Sequence, residues 1–222
     1  MAPPLTEQAA DLERIWDVFL IIAAGVGALV AGLVVFVVMR NRRRGDLPRQ
    51  QREHIPLELA YTVIPLLIVA GLFAITVGSV RAVDDLDDPD AVDLVVDVVG
   101  FQWQWQFTYP ESAAGGELVI TGTEQEVPEL VLPASSTVRF DLRAVDVIHS
   151  FWIPGFRFKR DMFPGEETSF QVDVAGTTGA WADTGVCAEF CGLDHHRMRF
   201  SVRIVSPEDF AEWRRSESTV NE

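Results

Sequence analysis

Twelve consecutive residues, Cys187-Ala188-Glu189-Phe190-Cys191-Gly192-Leu193-Asp194-His195-His196-Arg197-Met198, hold both cysteines of this 222-residue chain. They also hold two of its four histidines and one of its four methionines. Thiolate, imidazole and thioether are soft ligands that suit copper. Zinc would use the sulfurs and imidazoles but has little use for a thioether. The cysteines stand four apart, His195 follows four later and Met198 three after that. One loop could therefore wrap a small metal cluster. A further donor, His149, lies upstream in Val145-Asp146-Val147-Ile148-His149-Ser150-Phe151-Trp152, an alternating run that reads as a strand end. A disulfide between Cys187 and Cys191 is the competing reading in an exported domain.

One remote histidine followed by a Cys/His/Met loop is the ligand order of cupredoxin-type copper sites. Two thiolates in place of one suggest two coppers, with the sulfurs bridging them. The pattern C-x-E-x-C-G-x-x-H-x-x-M, with D-x-x-H-S upstream, resembles subunit II of haem–copper cytochrome c oxidases, which bears the dinuclear copper centre Cu A. The resemblance covers about residues 16–205. It implies that Cys187 and Cys191 bridge two coppers, that His149 and His195 bind one each, and that Met198 is a weak ligand. Glu189 would give its backbone carbonyl to the second copper and its side chain to a Mg²⁺ shared with subunit I. Residue type alone does not separate His195 from His196; the matched pattern assigns the ligand to His195 and leaves His196 to solvent or an interface. Trp103, in Phe101-Gln102-Trp103-Gln104-Trp105, would receive the incoming electron, a distinction from Trp105 that alternation cannot make. Glu58 would stand at the mouth of a proton path. Asp146 and the Lys159-Arg160-Asp161 run would lie toward the large subunit or the donor.

The implied function is acceptance of electrons from cytochrome c and their delivery to haem in subunit I, where oxygen is reduced and protons are pumped. Other oxidase subunits and the lipid bilayer would be further partners. A membrane-anchored copper carrier would need a Met- or His-rich exchangeable site, and this chain has four of each. A quinol oxidase subunit would lack the ligands. The copper domain of a nitrous-oxide-reducing enzyme would not need membrane helices. No C-x-x-C-H occurs, so no haem c is attached through that motif.

Two stretches must anchor such a site to a membrane. Val18–Met39 and Leu59–Val80 are each runs of 22 uncharged residues, the length a helix needs to cross a hydrocarbon core of about 30 Å. Between them, residues 40–56 carry six arginines, a positive-inside signal. The expected organisation is an outer tail over 1–15, a transmembrane helical hairpin over 16–81, an acidic linker over 82–91, a copper domain over 92–206 and a short C-terminal helix or tail over 207–222. The tail lacks the basic start and short apolar core of a signal peptide. This places a multi-pass protein in a bacterial plasma membrane, with the copper domain and both termini outside.

From Val92 onward short alternating runs replace the long apolar ones. Phe101, Trp103, Trp105, Phe107 and Tyr109 share one face of a period-two run, which predicts one strand. Further strands are predicted near 117–121, 127–132, 137–142, 145–152, 168–174 and 199–205. Many short strands without long helices between them predict an all-β cupredoxin-like sandwich or barrel. Ser206 and Pro207 suit a helix N-terminus. The formal net charge of −15 falls entirely on residues 80–222, which carry 26 acids against 11 bases. Such a surface attracts basic partners, and no basic stripe argues for nucleic acid.

Overall fold

The computed structural model describes residues 3–42, 52–84, 86, 91–111, 116–123 and 125–220. Residues 43–51 of the arginine-rich loop, and 85 and 87–90 of the acidic linker, lie outside the described residues. The chain divides into two compact units: Leu12–Val80, and Arg81–Glu222 together with the N-terminal residues up to Asp11.

The first unit is built from α1 (Glu7–Asn41) and α2 (Ile55–Asp84). At about 1.5 Å per residue, both exceed the ~30 Å of a bilayer core. Their apolar side chains, among them Leu29, Phe36, Leu66 and Phe73, are exposed. Such a surface is stable against lipid and not against water. Inside α2 the hydroxyls of Thr62, Thr76 and Ser79 donate to carbonyls four residues back, so these polar groups are satisfied within the helix. Glu58 sits in the first turn of α2, where its carboxylate accepts the His54 N–H at 2.9 Å while His54 Nδ1 accepts the Leu57 N–H at 3.3 Å. It therefore caps the helix.

The second unit is a sandwich of two five-stranded sheets. Its strands are β1 (Leu94–Phe101), β2 (Gln104–Tyr109), β3 (Leu118–Thr121), β4 (Glu129–Pro133), β5 (Thr137–Ala144), β6 (His149–Ile153), β7 (Phe158–Met162), β8 (Glu167–Asp173), β9 (Gly179–Cys187) and β10 (Arg199–Val205). One sheet has the order β3-β2-β1-β5-β8, the other β4-β10-β9-β6-β7. Trp105 and Phe107 from the first sheet meet Phe151 and Phe200 from the second, with ring centroids 5.3–6.5 Å apart. Phe140 and Phe170 extend this aromatic core. Tyr109 joins the sheets by accepting the Val131 N–H at 2.8 Å and donating to the Val131 carbonyl at 3.1 Å.

Three features of the strands differ from the sequence expectation. The single strand expected over 101–109 is a hairpin, because Phe101 pairs with Gln104 across a two-residue turn of Gln102 and Trp103 joined by a cis peptide. Trp105, Phe107 and Tyr109 are buried as alternation predicts, whereas Trp103 leaves that face for the turn. The strand expected from Val145 begins at His149, after a bend over 145–147. β7 and β9 arise where no strand was expected. β7 is short and charged, and β9 carries two glycines, a positive φ at Asp183 and a register shift against β10 between Phe200 and Val202. Each of these breaks the period-two pattern.

The N-terminal segment is part of the β domain. Leu5 donates its N–H to the Gly155 carbonyl and accepts the Ala175 N–H, both at 2.9 Å, and Thr6 bridges Val174. Gln8 exchanges two hydrogen bonds with Asp173, at 2.9 and 3.0 Å. The segment covers the end of edge strand β8 and blunts a site for unwanted pairing. Leu5 seats on Gly155, where a Cβ would fall 2.5 Å from the leucine side chain. The buried Thr6 hydroxyl then accepts the Ala9 N–H and caps α1, so the helix begins inside the expected tail. Leu5 is 3% exposed. Leu5→Ala is therefore expected to lower stability by about 2–3 kcal/mol, read from the thermal melt of the near-ultraviolet dichroism of the β-domain aromatics.

At the other end, α3 (Pro207–Val220) starts with the Ser206 hydroxyl accepting the Asp209 N–H at 3.1 Å. Phe210 and Trp213 pack on Tyr109, and buried Arg214 donates to the carbonyls of Pro110 and Gly116.

Candidate metal centre

Two neighbouring strands and one loop bring the expected donors together. His149 opens β6, Cys187 ends β9, and β6 pairs with β9 through Phe151 and Trp152. The loop 188–198 then turns back into β10, closed at its base by the Cys187 N–H donating to the Met198 carbonyl at 3.1 Å. The pairing of β9 with β10 fixes both ends of the loop.

The thiols of Cys187 and Cys191 are free and buried, with their sulfurs 3.9 Å apart. A disulfide would bring them to about 2.05 Å. His149 Nδ1 lies 3.8 Å from Cys187 Sγ, and His195 Nδ1 lies 3.6 Å from Cys191 Sγ. The sulfur of buried Met198 is 3.8 Å from Cys191 Sγ, and the Glu189 carbonyl oxygen is 3.2 Å from Cys187 Sγ. Each thiol thus faces one imidazole nitrogen and one weaker donor. The donor atoms of His149, Cys187 and Cys191 lie within 4.8 Å of one another, a spacing that suits a metal ion. His196 is exposed and His195 is half-buried, so the structure separates two neighbours that residue type could not.

The charges of the site are arranged by its partners. Burial pulls the His149 pKa down, but its hydrogen bonds to Cys187 and Asp146 outweigh this and leave it raised. Burial pushes the Cys187 thiol up, yet the hydrogen bonds from His149 and the main chain bring its pKa below the usual thiol range. Burial, then the neighbouring Cys187 thiolate, push the Cys191 thiol up to about 12. Cys187 is thus the more readily deprotonated of the two thiols, and a metal that binds both sulfurs must displace the protons they hold.

Outer partners fix the ring of His149. Asp146 Oδ1 accepts from His149 Nε2 at 2.9 Å and from the Val147 N–H at 2.7 Å. This leaves Nδ1 directed at the sulfurs, as an orienting carboxylate does for a metal-binding imidazole. Ser150 passes its carbonyl to the Ala188 N–H and its hydroxyl to Asp161. Trp103 sits beside the ligand loop, where its indole N–H donates to the Cys191 carbonyl at 3.2 Å. Gln102 also reaches that carbonyl, at 2.8 Å, a contact that residue type and alternation did not suggest. Glu189 and Phe190 are exposed. Glu58 belongs to the helical unit, and Lys159 and Asp161 pair on the surface of β7.

A cupredoxin-like β domain with two thiols, two imidazoles and a thioether at one end, carried by a chain with two bilayer-length apolar helices, defines a class of membrane-anchored cupredoxin-like protein. Residues 94–205 match the family profile "Cytochrome C oxidase subunit II, periplasmic domain", and residues 2–81 match that family's transmembrane domain. The chain belongs to the cytochrome c oxidase subunit II family, a component of an oxidoreductase, and is a membrane protein with its β domain on the outer side. Among its relatives, the probable cytochrome c oxidase subunit 2 of Streptomyces avermitilis is 36% identical over 247 residues, covering 95% of this chain and 76% of that protein. Cytochrome c oxidase subunit 2 of Corynebacterium diphtheriae is 32% identical over 268 residues, covering 94% and 73%. The crystal structure of the periplasmic domain of subunit II from Bradyrhizobium japonicum superposes with a TM-score of 0.50 at 30% identity, covering 58% of this chain and 96% of that domain.

Proposed function

We propose that this chain is the electron-receiving subunit of its oxidase and holds a dinuclear copper centre of the Cu A type. His149, Cys187, Cys191, His195, Met198 and the Glu189 carbonyl would hold the two coppers. The observation that carries this reading is the pair of unlinked, buried thiols 3.9 Å apart, each faced by one imidazole nitrogen. Soft donors in that number fit copper better than zinc or a hard cation. When bound, a copper pair supplies one-electron redox chemistry. The chain's own contribution is a rigid cage on paired strands, which limits rearrangement when charge changes.

Cytochrome c is the donor in this reading, drawn by the acidic β domain, and its electrons enter at Trp103. The hydrogen bond from the Trp103 indole to the Cys191 carbonyl supports that route, because it links a half-buried ring directly to a thiol-bearing residue. Electrons leave toward haem in subunit I, where oxygen is reduced and protons are pumped. The exposed Glu189 carboxylate would reach a Mg²⁺ shared with that subunit, as a hard cation prefers oxygen. For Glu58, the helix cap is the structural role, and a place at the mouth of a proton path is compatible with it. The chain would lie in a bacterial plasma membrane with both termini outside. Support comes from the bonds of Leu5 and Gln8 to the β domain, since the segments before α1 and after α2 then share one side.

Metal analysis and electron paramagnetic resonance on the purified oxidase test this. The expected result is two coppers per chain at this site sharing one unpaired electron. A single isolated copper, or none after reconstitution, overturns the proposal.

A further inference from the structure

The geometry points to Gln102 as a positioning residue for the metal cage: a brace that ties its His149 half to its Cys191 half. This inference rests on the copper reading above.

The two halves come from distant parts of the chain. His149 opens β6, whereas Cys191 lies in the loop after β9, and the turn between β1 and β2 touches both. The main-chain N–H of Gln102 donates to Asp146 Oδ2 at 2.8 Å. The other oxygen of the same carboxylate orients His149, at 2.9 Å. The side-chain amide of Gln102 donates to the Cys191 carbonyl at 2.8 Å. One residue thus connects the acid that aims an imidazole to the peptide that carries a thiol. Trp103 adds a second donor to the same carbonyl at 3.2 Å.

Gly192 makes this approach possible. Its φ is +120°, a conformation that residues with a Cβ avoid, and a Cβ there would stand 3.0 Å from Gln102 Nε2 and 3.2 Å from Trp103 Nε1. A side chain at this position would crowd both donors to the Cys191 carbonyl.

A brace of this kind has a defined task. Two metals share an electron evenly only if their ligand halves are held in matched positions. Paired strands fix Cys187 and His149. Cys191 lies beyond the strand, and among the described residues its carbonyl accepts from Gln102 and Trp103. Removing the amide frees Cys191 to shift toward its own imidazole. Metal is then held less tightly, and the two sides become unequal.

The test is Gln102→Met in the full chain within the assembled oxidase. Methionine matches glutamine in length but has no donor, and Gln102 is exposed, so the variant keeps its fold. An unchanged apo melting curve checks that. The brace predicts copper release to a strong chelator about tenfold faster than in the wild type. It also predicts an altered copper hyperfine pattern and a shifted midpoint potential. Combined with Asp146→Ala, the effects on release should be less than multiplicative, because both act through one connected network. Wild-type release rate, hyperfine pattern and potential in the variant would overturn the brace. So would a change confined to the KM for cytochrome c, which would make Gln102 a donor contact only. If the wild-type oxidase itself lacks a shared copper pair, the copper reading fails and the brace falls with it, an outcome visible before any variant is made.

Discussion

Cys191→Ser is expected to abolish the metal centre while leaving the chain folded and inserted. Cys191 Sγ is the junction of the cage, with Cys187 Sγ at 3.9 Å, His195 Nδ1 at 3.6 Å and Met198 Sδ at 3.8 Å. A hydroxyl is a hard, weakly acidic donor that cannot replace a shared thiolate. The side chain keeps its size and stays at the end of a loop closed by the Cys187–Met198 backbone bond, so the β domain has little reason to unfold. Copper content should fall to one ion or none, and the delocalised spin signal should vanish. Oxidation of cytochrome c should drop by more than about 100-fold, beyond the loss typical of removing an outer partner. Membrane fractionation and metal analysis on the same preparation separate loss of the site from loss of the protein. Normal turnover in this variant would contradict the assignment of Cys191 to the centre.

Phe151→Ala should give the largest loss of stability. The ring is 1% exposed and lies between the sheets, stacked on Phe200 at 5.0 Å and 8°, and in contact with Trp105, Phe107, Phe140 and Phe170. Neighbours on every side cannot all collapse into the space vacated, so the cost combines lost transfer energy and a cavity. A truncation of this kind costs about 3–5 kcal/mol. The β-domain melting temperature should fall by about 10 °C or more. Phe151 also pairs with Cys187 across β6 and β9, two residues after His149. Copper should therefore be lost at a lower temperature as well, which calorimetry of the loaded and stripped oxidase would reveal. A shift of only a degree or two would mean that the core repacks far more freely than this stacking allows.

Most of the candidate donor cluster was legible because its information is local, His149 being the remote member. Cys187, Cys191, His195 and Met198 fall within twelve residues, and their types and order point to soft-metal chemistry, whereas the role of Glu189 came from the resemblance alone. The two membrane helices were equally plain, since 22 uncharged residues have few other uses. What escaped the sequence depends on which residues the fold makes neighbours. Alternation alone put Trp103 with Trp105 in the core; the resemblance, not the pattern, set it apart, and the turn at Gln102–Trp103 brings it to the ligand loop. Gln102 looks like a polar spacer until Asp146 and Cys191 converge on it. β9 lacks alternation because its glycines accommodate a neighbouring aromatic ring: a Cβ at Gly185 would fall 2.2 Å from Phe200. Nothing in Leu5-Thr6-Glu7-Gln8-Ala9 hinted at a seat in the β domain, for that seat is made by Gly155, Asp173 and Val174.

The seat of Leu5 to Ala9 also fixes a schedule. Gln8 binds Asp173, 165 positions later in the chain. At about 5–20 residues per second, Gln8 leaves the ribosome roughly 10–30 s before its partner exists. For most of that interval Gly155 and Val174, on which Leu5 and Thr6 seat, have yet to be synthesised. The seam therefore joins two stretches made far apart in time, and it closes only after Asp173 has been synthesised.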